Sequence, residues 1–179
     1  MSATPHDSTA VIFGRRSIRV YSPGSITELQ IKQMLEAAMA APSAMTKDPW
    51  RFIVIENPET LSRLTKFLPG GGMLSTAAAA IAVCGDLDAA FNRSESYLLQ
   101  DCSAAIENLL ICAHGLGLGG CWVGVHPDHT AIQGLKQLFG LPLPIVPIAV
   151  ISLGLPGEEP GPRTRYNSEF VHREKWQTK

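Results

Sequence analysis

A chain of 179 residues and 19.3 kDa has room for one ordinary domain and not for two full-sized cores, so a single domain over residues 1–179 is expected. Hydrophobic residues make up 45% and charged ones 17%, a balance that excludes a disordered chain. With 15 Lys+Arg against 16 Asp+Glu the net charge is −1, which leaves no long-range field to draw in nucleic acid or an anionic membrane.

Met1 to Ala10 lacks a basic start followed by an apolar core, so no secretory signal is read there. Arg15-Arg16-Ser17-Ile18-Arg19 then sets three guanidiniums and a hydroxyl within five residues, just before a turn expected over Tyr21 to Gly24. Guanidinium forks match phosphate oxygens bidentately, although a solvated basic segment is the plain alternative. Thr27 and Gln30 have the spacing of a capping box; Ile31, Met34, Leu35 and Ala38 mark the apolar face of the helix that follows, and Pro42 stops it. Arg51 to Glu56 reads as a strand. Asn57 and Pro58 read as the cap and first turn of a second helix carrying Leu61, Leu64 and Leu68.

Ala79 to Cys84 reads as a second, buried strand, and a long helix is expected from about Ser94 to Leu116. Between Ala104 and Ala113 that helix is apolar on nearly every face, interrupted by Glu107 and Asn108. It needs cover on all sides, from a partner subunit or from a central position within one chain. Gly115-Leu-Gly117-Leu-Gly-Gly120 satisfies G-x-G-x-x-G, but it follows a helix and precedes a strand, the reverse of a dinucleotide fingerprint, so it reads as a helix-ending loop. Strands are expected at Cys121 to Val125 and Val146 to Leu153. Between them Ile132, Leu135 and Phe139 share a helical face that ends at Gly140. In His126-Pro-Asp-His129, Asp128 reads as the cap of that helix rather than as part of a metal site. The stretch from Gly154 to Arg165 is rich in Pro and Gly and reads as an extended tail; its Arg163-Thr-Arg165 could approach the same anion as the first basic cluster.

Three uncharged runs reach membrane-spanning length, at 67–85, 108–127 and 137–157, and each is broken by Gly or Pro. The four cysteines, at 84, 102, 112 and 121, show no C-x-x-C pair and lie in apolar surroundings, the pattern of reduced thiols in a cytoplasmic protein. Alternating strands and helices give an α/β or α+β domain. Two basic clusters in an otherwise neutral chain point to one small phosphorylated ligand rather than a nucleic-acid track.

Five segments, in order, resemble the FMN-dependent nitroreductase family. Arg15 to Tyr21 is similar to its opening phosphate motif, and Ala41-Pro42-Ser43-Ala44-Met45-Thr46-Lys47-Asp48-Pro49-Trp50-Arg51-Phe52 to its second motif. Gln100 to Leu109 resembles the core-helix signature, Gly117 to Gly124 the flavin-edge loop, and Arg163-Thr-Arg165 the tail motif. The resemblance implies an α+β fold with a mixed central sheet flanked by helices, and an intertwined homodimer with FMN at the subunit interface. It implies that Arg15, Ser17 and Arg165 grip the phosphate and ribityl chain with Arg16 and Arg163 beside them. Pro42 and Ser43 would reach the flavin from the other subunit. Arg19 would lie near the pyrimidine edge, and Trp122, Val123 and Gly124 would line the ring near N5. It also implies ping-pong transfer from NADH or NADPH to nitroaromatic, quinone or similar small acceptors, with no catalytic side chain because the flavin supplies the chemistry. A flavin-binding redox sensor or carrier, or a dehalogenase or flavin-modifying relative of the same fold, is the alternative. Thr46 and Asp48 stand where the family commonly has Asn and Gln, and Pro69-Gly70-Gly71-Gly72-Met73 reads as a mobile or open pocket wall.

Overall fold

The computed structural model of this chain describes residues 8–161 and 165–177. Its elements are α1 (Ser8–Gly14), β1 (Tyr21–Ser22), α2 (Glu28–Met39), β2 (Trp50–Ile55), α3 (Pro58–Leu64), β3 (Ala79–Asp86), α4 (Glu95–Gly115), β4 (Gly119–Gly124), α5 (His129–Phe139) and β5 (Ile145–Pro156). The helix starts follow cap chemistry. Thr27 and Gln30 form the full capping box of α2, Asn57 caps α3 ahead of Pro58, Ser94 caps α4, and Asp128 accepts from Thr130 and Ala131 at the start of α5. Each such cap is worth about 1 kcal/mol, enough to place a helix start though not to hold the fold.

The sheet runs β2-β3-β5, with β4 and then β1 along the other side of β5. All pairings between these strands are antiparallel, and among the described residues the one parallel contact is an isolated bridge from Ser17 to Gly120. The pleat sorts side chains to two faces. Ala79, Ile81 and Val83 of β3 and Ala149, Ile151 and Leu153 of β5 face α2 and α4. Ala80, Ala82, Val123 and Val150 face α3 and α5. A bulge opposite Val83 and Cys84 inserts Ile148, and its carbonyl accepts both Val125 and His126 N–H at 3.1 Å. Pro147 is tolerated in a central strand because it sits at that bulge.

Two local features differ from the sequence expectation. Helix α1 was not foreseen. Tyr21 and Ser22 are not a free turn but pair with Pro156 and Leu155, which draws Gly154–Pro156 out of the expected tail and into β5. In Pro69 to Met73, Pro69, Gly70 and Gly72 are exposed, while Leu68 and Leu74 on either side are buried and Met73 packs on the same cluster. Among the described residues, no helix is long and apolar enough to cross a membrane.

The thiols are free and mostly enclosed. Burial pushes Cys84 and Cys102 up to about 12, and a thiol is nucleophilic only as thiolate. Cys84 and Cys102 are therefore expected to stay silent to a thiol reagent at pH 8 in the native protein. Half-buried Cys112 should react first, and all four should react in guanidinium. Titration with a chromogenic disulfide checks this, and rapid native labelling of Cys84 or Cys102 would contradict the packing.

Candidate functional site

The front arginines are positioned by what flanks them. Gly14 lets the end of α1 close on α4, where an added Cβ would lie 2.8 Å from His114 Nε2. Ile18 is buried, and its N–H donates to Gly120 O at 3.0 Å. Ser17 bridges the same residue. With Ile18 turned inward, Arg16, Ser17 and Arg19 are left to the outside. Tyr21 locks the segment from below: its hydroxyl donates to Ile18 O at 3.0 Å and lies 2.7 Å from Ser152 Oγ. Burial pushes the Tyr21 phenol up to about 12, so it stays a neutral donor.

Arg15, Arg16, Ser17 and Arg19 line one cavity of about 440 Å³ together with Arg165, Tyr166, Ile12 and Phe13. The two basic clusters, some 150 residues apart in sequence, meet there. Arg15 Nε donates to Glu107 Oε1 at 3.1 Å, which orients the guanidinium while its terminal nitrogens have no hydrogen bond among the described residues. The pair is partly exposed, so its value is orientation more than stability. Four guanidiniums and a hydroxyl, with no carboxylate among the cavity's lining residues, form a donor set suited to a phosphate monoester dianion. Arg163, expected beside Arg165, lies outside the described residues.

The second motif lines a different cavity, of about 330 Å³, formed by Pro42, Ser43, Ala44, Tyr97, Gln100, Asp101 and Ala104. Ser43 Oγ donates to Asp48 Oδ1, and Asp48 N–H returns to Ser43 Oγ at 3.0 Å. The loop is strained, with Met45, Thr46 and Asp48 all at φ near +50° (52°, 51° and 47°), a region that disfavours L side chains. Buried Asp101 fastens the loop by accepting Ala44 N–H at 2.9 Å, while its Oδ2 has no partner among the described residues. The residues where the chain departs from its resemblance, Thr46 and Asp48, thus sit in a turn held by local bonds. Asp101 and Glu107 are six residues apart on α4, about 9 Å along its axis, so the two cavities flank one helix.

Trp122, Val123 and Gly124 join neither cavity. On edge strand β4, Trp122 and Gly124 face outward while Val123 is buried among Val125, Val150 and Leu135. A Cβ at Gly124 would meet nothing within 4 Å, so the sheet face beside it is uncovered. Leu118 N–H donates to Ala113 O and Gly117 N–H to His114 O, both at 2.9 Å, with Gly117 at φ +76°. These are the two bonds of a Schellman helix end. The glycine run is therefore a helix stop followed by a strand start, not a dinucleotide loop. His126 Nε2 lies 2.9 Å from Glu95 Oε1.

Sequence reasoning missed three contributors. Glu107 had a signal, since an acid inside an apolar helical stretch calls for a cation. Asp101 sits at the edge of the same stretch. Glu158 had none: its Oε1 accepts the N–H groups of Arg19 and Val20. Those two donors hold its carboxyl below the ordinary glutamate value. Whatever the tie contributes is present above the usual glutamate pKa and is lost as pH falls through the lowered folded-state value.

Comparison with known proteins gives one answer along the chain. The nitroreductase family model matches residues 12–72 and 71–155. A protein of Methanothermobacter thermautotrophicus, provisionally named NADH dehydrogenase/NAD(P)H nitroreductase, is 41% identical over 170 residues, covering 95% of this chain and 88% of its own. A crystal structure from Parabacteroides distasonis under the same provisional name superposes with a TM-score of 0.89 at 33% identity, over 96% of this chain and 99% of that one. A provisionally named nitroreductase of Desulfovibrio desulfuricans, solved in complex with FMN, superposes at 0.82 with 27% identity, over 97% of this chain and all (100%) of its own.

Proposed function

The chain belongs to the nitroreductase family, and from that premise we propose that it passes electrons from NADH or NADPH to nitroaromatic, quinone or similar small acceptors in a ping-pong cycle within a single domain. It is an NAD(P)H-dependent flavin oxidoreductase with FMN as cofactor. The observation that carries the finer reading is the convergence of Arg15, Arg16, Ser17, Arg19 and Arg165 on one cavity. Its donor chemistry fits the phosphate end of FMN.

FMN, when bound, would supply two-electron hydride-transfer chemistry. The chain's own work is to bind, orient and tune. Arg15, held by Glu107, and Arg165 would clasp the phosphate with Ser17, and Arg16 would add charge beside them. Arg19, next along the segment, would supply a cation toward the pyrimidine edge of the ring, where a preorganised charge favours the electron-rich form. The backbone of β4 from Trp122 to Gly124 would line the ring near N5. No side-chain nucleophile is needed.

Pro42 and Ser43 complete the site from a second subunit in this reading. Two features support a homodimer. Helix α4 leaves a stripe, Gln100, Ala104, Glu107, Ile111 and His114, that its own chain buries only in part. That stripe runs between the two cavities. Phe13, Phe170 and Trp176 stand 73%, 79% and 79% exposed, more aromatic surface than an isolated subunit would keep in water. Four unpaired thiols support a reducing, cytoplasmic setting.

The test is a visible spectrum of the purified protein. Oxidised-flavin bands should be present or appear on adding FMN, bleach on adding NADH or NADPH without air, and return on adding a quinone. A protein that neither carries nor takes up FMN would overturn the reading. Bound FMN that NAD(P)H reduces only over many minutes would instead favour a sensor or carrier.

A further inference from the structure

The tail that brings Arg165 to the cavity leaves β5 beside the very segment that carries the front arginines. Tyr21 and Ser22 pair with Pro156 and Leu155, and Gly157 N–H donates to Val20 O at 2.8 Å. The approach is so close that a Cβ at Gly157 would lie 3.0 Å from backbone atoms of Tyr21 and Ser22. The next residue is Glu158. One of its carboxylate oxygens accepts both Arg19 N–H and Val20 N–H, the latter at 3.1 Å. Among the described residues these are the last hydrogen bonds that tie the tail to the 15–20 segment before Arg165 reaches the cavity. Two adjacent backbone N–H groups aimed at one oxygen make a small anion cradle, and here the chain fills it with its own carboxylate.

We infer that Glu158 is a positioning residue for phosphate recognition: by seating its carboxylate on the Arg19 and Val20 N–H groups, it ties the chain to the arginine segment seven residues before Arg165, which lines the anion cavity. The inference rests on the reading of that cavity as the FMN phosphate site. Glu158 does not line the cavity itself; it borders a neighbouring one, of about 290 Å³, that shares Arg16. It acts through Arg165 rather than by touching the ligand. Its charge lies in the field of Arg19, so geometry and charge pull in opposite directions. The bond places an arginine, while the charge itself opposes an incoming dianion.

Two substitutions separate these effects. Glu158→Gln keeps an acceptor oxygen and removes the charge; Glu158→Asp keeps the charge but is one methylene too short to reach both donors. Dissociation constants for FMN and for riboflavin, which lacks the phosphate, are measured by fluorescence quenching on deflavinated protein. Glu158→Asp and Glu158→Ala are each expected to weaken FMN about tenfold, a typical coupling for residues sharing a network, while changing riboflavin less than about twofold. Glu158→Gln is expected to bind FMN as tightly as the parent or more so. In an Arg165→Ala background the loss from Glu158→Ala should shrink to less than about twofold, because the residue acts through Arg165. Equal losses for FMN and riboflavin, or full additivity with Arg165→Ala, would overturn the inference. If the parent protein bound no FMN, or Arg15→Ala left FMN affinity unchanged, the cavity reading would fail instead. Should Glu158→Ala not fold, the Gln and Asp variants carry the same discrimination.

Discussion

Arg15→Ala and Arg165→Ala are each expected to weaken FMN binding by roughly ten- to a hundredfold, about 1.5–3 kcal/mol, the usual worth of a hydrogen bond to a charged group. Both residues line the cavity, but they differ in support. Arg15 is held by Glu107 at 3.1 Å, so its fork is preorganised and its removal also leaves that carboxylate near the anion. Arg15→Ala should therefore be the more damaging of the two. Because one dianion answers to both, the double variant should lose less than the sum of the single losses. Riboflavin affinity should hardly change in either, and FMN affinity of the parent should fall with added salt. Unchanged FMN affinity in both variants would show that the cavity holds something other than the phosphate.

The parts of this site that could be read from sequence are those whose chemistry is local. A cap, a Pro stop and a glycine helix end are decided within five residues, and Thr27, Asn57, Asp128 and Gly140 all act as their side chains and backbone dictate. Arg15 to Arg19 was legible because three cations in five residues ask for an anion whatever the fold. Its meeting with Arg165 was only a possibility, since nothing local brings residue 19 beside residue 158. That proximity depends on the two-residue pairing of β1 with the end of β5, too short to leave a periodic signal. The misreading of Gly154 to Arg165 has the same origin: Pro and Gly suggest an irregular tail, yet Leu155 and Pro156 are strand because Tyr21 and Ser22 supply the partner. Pro69 to Met73 is a glycine run flanked by buried Leu68 and Leu74.

Glycine 119 carries the second large effect, because it couples the glycine-rich stretch to the arginine segment by contact rather than by motif. A Cβ there would lie 2.8 Å from Ile18 Cγ2 and 2.9 Å from Ile18 Cβ. Ile18 is β-branched and held by its own backbone bond to Gly120, so it cannot swing aside cheaply. Gly119→Val is therefore expected to destabilise the protein by about 1–3 kcal/mol through overpacking. It should also displace the neighbours of Ile18, Ser17 and Arg19, and so weaken FMN binding in the molecules that fold. Gly117→Ala supplies the contrast. At φ +76° with nothing within 4 Å of its added Cβ, it should cost about 1 kcal/mol of backbone strain and leave FMN affinity as it is. Thermal midpoints and FMN dissociation constants measured on both variants decide the matter. If Gly119→Val lowered the midpoint but bound FMN like the parent, the segment from Arg15 to Arg19 would not depend on this contact for its placement. If Gly117→Ala weakened FMN as much as Gly119→Val, general loosening of the helix end, rather than the Ile18 contact, would be the cause.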